Sequence, residues 1–240
     1  MTFAIIYNLF LFSIMVFYLI FTNQGTSRFL DNIYNQKAYI FIYILLVSFS
    51  IYSIDYNELA IKNEILYKYG LTNNITKSNL YTLLTNSFIH TDVLHLFINL
   101  LFFTYLGFLE YDYGYIIFLL MFLIPSIITS TILTIFIPDD VIILGASDGL
   151  CAIFSIIIAE NLIIDKLPVG ISSKIYDFLF GVIILFGVLF LLTFGQRSGG
   201  SNVYTFSAHF LGALSGYIFY CALKFITPNL YDYLIEIGTW

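Results

Sequence analysis

Apolar runs separated by short polar stretches dominate the chain. Seven of these runs are long enough to be membrane helices, because the hydrocarbon core of a bilayer takes about 20 residues of helix. They lie at about residues 3–22, 38–55, 93–109, 114–137, 141–164, 174–194 and 203–225. The pattern predicts an all-α fold, a polytopic bundle of helices in an integral, multi-pass membrane protein.

Two polar connections need a separate interpretation. The first run begins close to Met1, without a preceding basic residue and without a small-residue cleavage site after it, so we expect a retained helix rather than a signal peptide. The longest connection, Asp55 to Ser87, mixes Tyr, Leu and Ile with charged residues. That composition is typical of a segment in the headgroup region, and we do not expect it to cross the membrane.

Composition supports the membrane assignment and excludes other classes of function. Apolar residues make up 60% of the chain and charged residues only 10%, which is too few for a water-soluble surface. A formal net charge of -6 without a basic run argues against nucleic acid as a partner. Cys151 and Cys221 both lie in apolar runs, so no disulfide framework is predicted. The expected surroundings are therefore a lipid bilayer.

The basic residues near the ends of the runs weakly favour one orientation of the chain across the membrane. Counting crossings places five on one side of the membrane: Arg28, Lys37, Lys166, Lys174 and Lys224. The other side carries four: Lys62, Lys68, Lys77 and Arg197. We predict that the first side is cytoplasmic, because the opposing lysines are diluted in a long, partly acidic segment. The membrane is expected to be the cell membrane.

Polar side chains inside membrane helices are costly, so each one is a candidate for function. The chain has three histidines, His90, His95 and His209, and all lie in or next to predicted helices. Ser147 lies about two turns into the fifth run, and His209 lies a similar distance into the seventh. The third, fifth and seventh runs enter the membrane from the same side. The serine, the last histidine and the polar pair His95 and Asn99 are therefore expected at one depth.

These residue types suit nucleophilic catalysis. A serine hydroxyl becomes a good nucleophile when a base takes its proton, and imidazole suits that role near neutral pH. We therefore assign Ser147 as the nucleophile and His209 as the base. His95 and Asn99 are four apart and share a helix face, so with the Ser147 N–H they are the expected oxyanion donors. Gly145 lies in the same oxyanion and substrate-binding region, and the chemistry requires no metal and no cofactor.

Small residues and His90 are assigned supporting parts. Gly149, Gly212 and Gly216 remove side-chain bulk, which lets two helices approach closely, as Gly-x-x-x-Gly pairs allow. His90 falls just before the third run, near the mouth of that helix. Each feature alone has a structural interpretation, since Gly-x-Ser can cap a helix and the histidines can be buried and hydrogen-bonded or bind an ion. The catalytic interpretation is favoured because these features are expected at the same depth and on the same side of the membrane.

Three separated motifs resemble those of the rhomboid intramembrane serine proteases. The first is Ser87-Phe88-Ile89-His90 followed by His95-Leu96, Asn99, Gly107, Glu110 and Gly114. The second is Gly145-Ala146-Ser147, similar to the Gly-x-Ser motif of that family, and the third is His209 with Gly212 and Gly216. The resemblance covers about residues 38–225. It implies a six-helix catalytic core at 38–240, preceded by an extra transmembrane helix and polar linker at 1–37.

The resemblance also implies an activity and its partners. The chain would be a serine endopeptidase that cleaves transmembrane-protein substrates at or near the membrane, often after a small residue. Ser147 and His209 would form a dyad without a catalytic carboxylate, with oxyanion contacts from His95 and Asn99. The run at about 174–194 would correspond to the mobile helix that admits substrate in this family.

The chain departs from the family pattern at three places. Asp148 follows the nucleophile where glycine is common, and its carboxylate is expected to oppose a nearby oxyanion and so to reduce activity or shift its pH dependence. Cys151 stands where an aromatic residue often stacks on the catalytic histidine. Tyr81-Thr82 replaces a Trp-Arg pair of the first loop, so that loop is expected to be anchored differently.

Two other classes of function stay open. The nearer is a catalytically weak or inactive relative that binds membrane clients. Such relatives usually lack the serine or the histidine, and this chain has both. The other is a transporter that uses His and Asp as a proton relay, which fits less well because the sequence has neither an internal repeat nor a charge ladder through the runs.

Overall fold

The computed structural model describes residues 37–55, 58, 60–107, 109–163 and 202–238. Most of these residues lie in eight α-helices: α1 Lys37–Ser53, α2 Asn63–Tyr69, α3 Thr82–Thr85, α4 Val93–Leu106, α5 Leu109–Leu133, α6 Ser147–Ile163, α7 Asn202–Cys221 and α8 Pro228–Gly238. A 3₁₀ turn, Asn86–Phe88, follows α3, and a π-helical turn, Ala222–Ile226, continues α7. Outside the described residues lie the runs predicted at 3–22 and 174–194 and four basic residues, Arg28, Lys166, Lys174 and Arg197.

The described part of the chain contains apolar helices of different lengths. Two of them, Leu109–Leu133 and Val203–Ile226, are long and apolar enough to cross a bilayer. Three shorter apolar helices accompany them: Lys37–Ser53, Val93–Thr104 and Ser147–Ile157. The helical fold class is as predicted, whereas the count of six core helices plus one stays a prediction.

Helix α5 contains a break at its N-terminal end. Gly114 has φ 78° and ψ 157°, a conformation outside the helical region that glycine adopts without steric cost. A Cβ atom at this position would lie 2.8 Å from the carbonyl carbon of Gly238, the last residue of α8. The glycine therefore both turns the chain into α5 and gives α8 room to pack against it.

The segment before α6 corrects the predicted start of the fifth run. We expected a helix over about 141–164, but α6 begins only at Ser147. Ile143 is extended and exchanges two backbone hydrogen bonds with Leu71, at 2.9 and 3.0 Å. Gly145 has φ 116°, which ends any helical path before it, and its N–H donates to the Asn86 carbonyl at 2.8 Å. Ser147 is therefore the first residue of its helix and does not lie two turns inside it.

The long connection between α1 and α4 is built from short elements. Strands β1 Ile54–Asp55 and β2 Ala60–Ile61 pair antiparallel, and the Ile61 N–H donates to the Thr91 carbonyl at 2.7 Å. Among its described residues, no helix is longer than α2, which has seven residues. The start of α4 is therefore held by backbone pairing with a segment about thirty residues earlier.

The predicted departure at Tyr81-Thr82 coincides with local anchors in this connection. The Tyr81 hydroxyl donates to the Lys68 carbonyl at 3.0 Å, which joins α2 to the start of α3. The Thr82 hydroxyl donates to the Asn79 carbonyl at 2.8 Å. Glu110 provides a further anchor, because its carboxylate accepts the Ala38 and Tyr39 N–H groups at 2.9 and 2.6 Å. The first turn of α1 is thereby tied to the first turn of α5.

Candidate active site

Ser147 and His209 meet between α6 and α7. The Ser147 Oγ atom lies 2.8 Å from His209 Nε2, a normal hydrogen-bond distance. Both residues are almost completely buried, with 5% and 1% of their surfaces exposed. The start of one helix and the second turn of another thus bring a hydroxyl and an imidazole into direct contact, out of bulk water.

Two glycines on α7 permit this contact. Gly212 and Gly216 lie one and two turns after His209, on the same helix face. A Cβ atom at Gly212 would lie 2.9 Å from Asp148 Cα, and one at Gly216 would lie 2.5 Å from Ala152 Cα. Since real Cβ atoms do not come this close to backbone, any larger residue would push α7 away from α6.

Gly149 and Asp148 fix the opposite face of α6. A Cβ atom at Gly149 would lie 2.6 Å from the Ser126 Oγ atom of α5 and 2.7 Å from the Phe122 ring. The buried Asp148 carboxylate accepts the Gly149 N–H at 2.8 Å, while the Ser126 hydroxyl donates to the Phe122 carbonyl at 2.8 Å. The carboxylate that follows Ser147 is therefore engaged with the N-terminal turn of its own helix.

His95 and Asn99 of α4 lie on the other side of Gly145. A Cβ atom at Gly145 would be 2.7 Å from His95 Nε2, so the imidazole lies directly against the glycine backbone. The Asn99 Nδ2 atom donates to the His95 carbonyl at 2.9 Å. Two polar atoms here, His95 Nε2 and Asn99 Oδ1, are buried without a hydrogen-bond partner among the described residues. Such atoms are rare in native interiors and call for a ligand or a functional explanation.

His90 joins three parts of the chain behind this site. Its Nδ1 atom lies 3.1 Å from the Ser50 hydroxyl of α1, and its Nε2 atom accepts the Ala146 N–H over a long 3.5 Å. Its ring also stands edge-on to that of His95, with 4.9 Å between the centroids. His90 is therefore hydrogen-bonded to the residue that precedes Ser147 and packs against His95.

A cavity of about 240 Å³ opens beside the serine and the histidine. His95, Gly145, Ser147 and His209 line it together with several residues that the sequence patterns did not single out, among them Asn86, Ser130 and Thr91. Asn86 holds the segment before the nucleophile through its carbonyl and donates from Nδ2 to the Ser130 hydroxyl at 3.0 Å. The feature of the sequence that could have identified Asn86 as a site residue is its position four residues before His90.

Cys151 occupies an apolar position one turn after Ser147. It is completely buried and packs in a small cluster with Ile98 and Ala213. The thiol therefore contributes to the packing of α4, α6 and α7 near the site.

Comparison with protein-family models identifies a family for this chain. The family model described as Rhomboid domain matches residues 77–224, more than half of the chain. The matched region contains His90, His95, Asn99, Ser147 and His209. No curated protein matches the chain.

Proposed function

The chain belongs to the rhomboid family, and from this membership we propose that it is an intramembrane serine endopeptidase that cuts transmembrane-protein substrates at or near the membrane. The observation that carries this proposal is the buried 2.8 Å contact between Ser147 Oγ and His209 Nε2. A hydroxyl in contact with an imidazole is the arrangement that acyl transfer to serine requires.

The reaction follows from this pair. His209 Nε2 takes the hydroxyl proton while Ser147 Oγ attacks the carbonyl carbon of a substrate peptide bond, which forms a tetrahedral oxyanion. Collapse of the oxyanion breaks the C–N bond, and the leaving amine receives the proton from His209. Water then attacks the acyl-enzyme ester, gives a proton to His209, and releases the acid as Ser147 recovers its proton.

The charge that develops on the carbonyl oxygen needs fixed donors. We assign this part to the Ser147 N–H at the start of α6, to Asn99 and to His95, around the Gly145 backbone. Asn99 Nδ2 uses one proton on the His95 carbonyl and has a second proton available. The cavity of about 240 Å³ beside these groups would hold the substrate residue at the cleaved bond.

The membrane arrangement proposed with this activity is the one predicted from sequence. A six-helix core at 38–240 would follow an N-terminal transmembrane helix and linker at 1–37, in a multi-pass protein of the cell membrane. The partners would be transmembrane segments that reach the cavity from the lipid.

Reconstituted protein incubated with a panel of labelled transmembrane peptides tests the activity. We expect the parent to release defined fragments and Ser147→Ala to release none. Equal cleavage by the parent and by Ser147→Ala would overturn the proposal. Ser207→Ala is a matched control, because Ser207 is a half-buried serine of α7 that hydrogen-bonds only within its own helix among the contacts described.

A second candidate is a catalytically weak relative that binds membrane clients. The observation that favours it is the buried Asp148 carboxylate next to the nucleophile, since a negative charge there opposes an oxyanion. Crosslinking to a photoreactive transmembrane peptide separates the two candidates. Capture without cleavage by both the parent and Asp148→Asn would favour the binding protein.

A further inference from the structure

Asp140 brings a carboxylate to the catalytic cavity, and no step of the proposed reaction uses it. The residue lies in the connection between α5 and α6, three residues before Ile143. It is exposed, and it lines the cavity of about 240 Å³ together with Ser147 and His209. A substrate residue that enters the cavity beside the cleaved bond is therefore within reach of this carboxylate.

The charge of Asp140 has no partner among the described residues, which give its side chain neither a hydrogen bond nor an ion pair. The described lining of the cavity contains neither lysine nor arginine. Lys68 follows the lining residue Tyr67, but its Nζ atom lies over the Tyr69 ring, 5.0 Å from the ring centroid. The second carboxylate of the lining, Asp148, is buried and accepts a hydrogen bond within its own helix. Asp140 is therefore the accessible carboxylate of the described lining.

The walls of the cavity suit the other part of a basic side chain. Lysine and arginine have a long apolar stem below a charged head, and the two parts prefer different surroundings. Leu133, Tyr67 and Tyr204 provide apolar and aromatic surface in the same cavity. Aromatic faces also attract cations. A stem packed on these walls with its head at Asp140 would use both kinds of surface.

Transmembrane segments carry basic residues mainly at their ends. A charge near the centre of a bilayer is costly, so the heads of lysine and arginine lie at the membrane boundary while their stems stay in the apolar layer. Cleavage at or near the membrane brings this boundary to the catalytic serine. An unbalanced carboxylate in the cavity then distinguishes basic from acidic flanks of a substrate.

We propose that Asp140 is a specificity-determining residue that selects transmembrane substrates with a lysine or arginine close to the cleaved bond. The carboxylate attracts a basic head and repels an acidic one, so one charge both favours the first class of substrate and excludes the second. The inference rests on the proposed function for the cleavage step, and on the lining of the cavity for the preference in charge.

Reconstituted protein and three matched transmembrane peptides test the preference. The peptides differ only in one residue, Lys, Gln or Glu, which is scanned along the positions close to the cleaved bond. At the position that faces Asp140, we expect kcat/KM of the parent for the Lys peptide to exceed that for the Glu peptide by about fivefold at low ionic strength. Added salt should reduce this ratio, because an exposed charge is screened.

Substitutions at Asp140 should change the ratio in a defined direction. Asp140→Asn should bring it close to one, and Asp140→Lys should reverse it in favour of the Glu peptide. Asp232→Asn is the matched control, because Asp232 is an exposed carboxylate of α8 that does not line the cavity, and it should keep the parent ratio. The ratio compares two peptides on one preparation, so a variant that folds incompletely still gives a valid value.

Binding of the same peptides to Ser147→Ala, followed by fluorescence anisotropy, separates this inference from the protease activity. We expect the Lys peptide to bind more tightly than the Glu peptide, and the difference to disappear when Asp140→Asn is added. Preference for Lys in binding without cleavage by the parent would end the protease proposal and leave the assignment of Asp140 in place.

The assignment is overturned if the parent cleaves and Ser147→Ala binds the Lys and Glu peptides equally well. A preference that survives Asp140→Asn, or that Asp232→Asn abolishes to the same extent, also overturns it. If no peptide is cleaved by the parent or bound by Ser147→Ala, both proposals fail.

Discussion

On the α7 side of the cavity, the Ser147 hydroxyl and the His209 ring are in contact at 2.8 Å. On the α4 side, His95 Nε2 and Asn99 Oδ1 are buried without a partner among the described residues. An unsatisfied buried polar group costs about 1–3 kcal/mol, and under the proposed function a bound peptide would remove this cost. The two sides therefore differ, because one holds a hydroxyl in contact with an imidazole and the other holds buried polar atoms without a partner among the described residues.

The largest effect is expected from a substitution that removes the contact between Ser147 and His209. His209→Ala removes the base and should lower cleavage by about 10³-fold or more, since the remaining groups of a catalytic unit work poorly without it. A serine-reactive fluorophosphonate probe should label Ser147 in the parent and leave both His209→Ala and Ser147→Ala unlabelled. Labelling of His209→Ala at the parent rate would mean that His209 does not activate the serine.

The α4 side should show the next largest effect. Asn99→Ala removes a donor to the oxyanion and should reduce kcat by about 10²-fold, the usual cost of losing one such donor. Phe97→Ala is the matched control, because Phe97 lies on the same helix with 54% of its surface exposed. If both variants lost activity equally, the loss would come from the packing of α4 and not from a donor.

A change in the spacing of α6 and α7 should have an intermediate effect. Gly212→Ala places a Cβ against the Asp148 backbone, which should cost about 1–3 kcal/mol of stability and lengthen the Ser147 to His209 distance. We expect kcat to fall by about tenfold, equivalent to ~1.4 kcal/mol. Leu214→Ala, at an exposed position of the same helix, should leave kcat unchanged. Thermal unfolding and kcat measured on both variants test this expectation.

The smallest effect is expected at the carboxylate beside the nucleophile. Asp148→Asn keeps an oxygen that accepts the Gly149 N–H but removes the negative charge near the oxyanion. We expect kcat to rise, by no more than about tenfold or ~1.4 kcal/mol, with little change in KM. A fall in kcat would show instead that the charge stabilises the start of α6 in the active conformation.

The proximity of the serine and the last histidine was within reach of sequence reasoning. Counting crossings placed Ser147, His209 and the polar pair His95 and Asn99 on one side of the membrane. Ser147, His209 and His95 do line one cavity, whereas the common depth of the four residues stays a prediction. Hydropathy also located the helices near 38–55, 93–109 and 203–225 to within a few residues. These predictions succeeded because they use only the hydropathy of single helices and the order of the helices along the chain.

The predicted start of α6, at about residue 141, was wrong for a physical reason. Val141 to Leu144 are apolar and looked like the first turn of a membrane helix, but the Ile143 backbone pairs with Leu71, about seventy residues earlier. A pairing between distant segments leaves no trace in local hydropathy. The same holds for the hydrogen bonds that join Asp92, Thr91 and His95, because residue order alone does not specify the partners of these side chains.

The pairing of Leu71 with Ile143 has a consequence for exchanging parts between relatives. Ser147 follows this pair of backbone hydrogen bonds by only four residues. A shift of one residue in either partner would therefore rotate Ser147 away from the His209 imidazole. We expect chimeras to keep their activity only when residues 60–88 and 139–147 come from the same parent. Fluorescent tags are better placed in the exposed turn near Thr76, which takes no part in the pairing of Leu71 with Ile143.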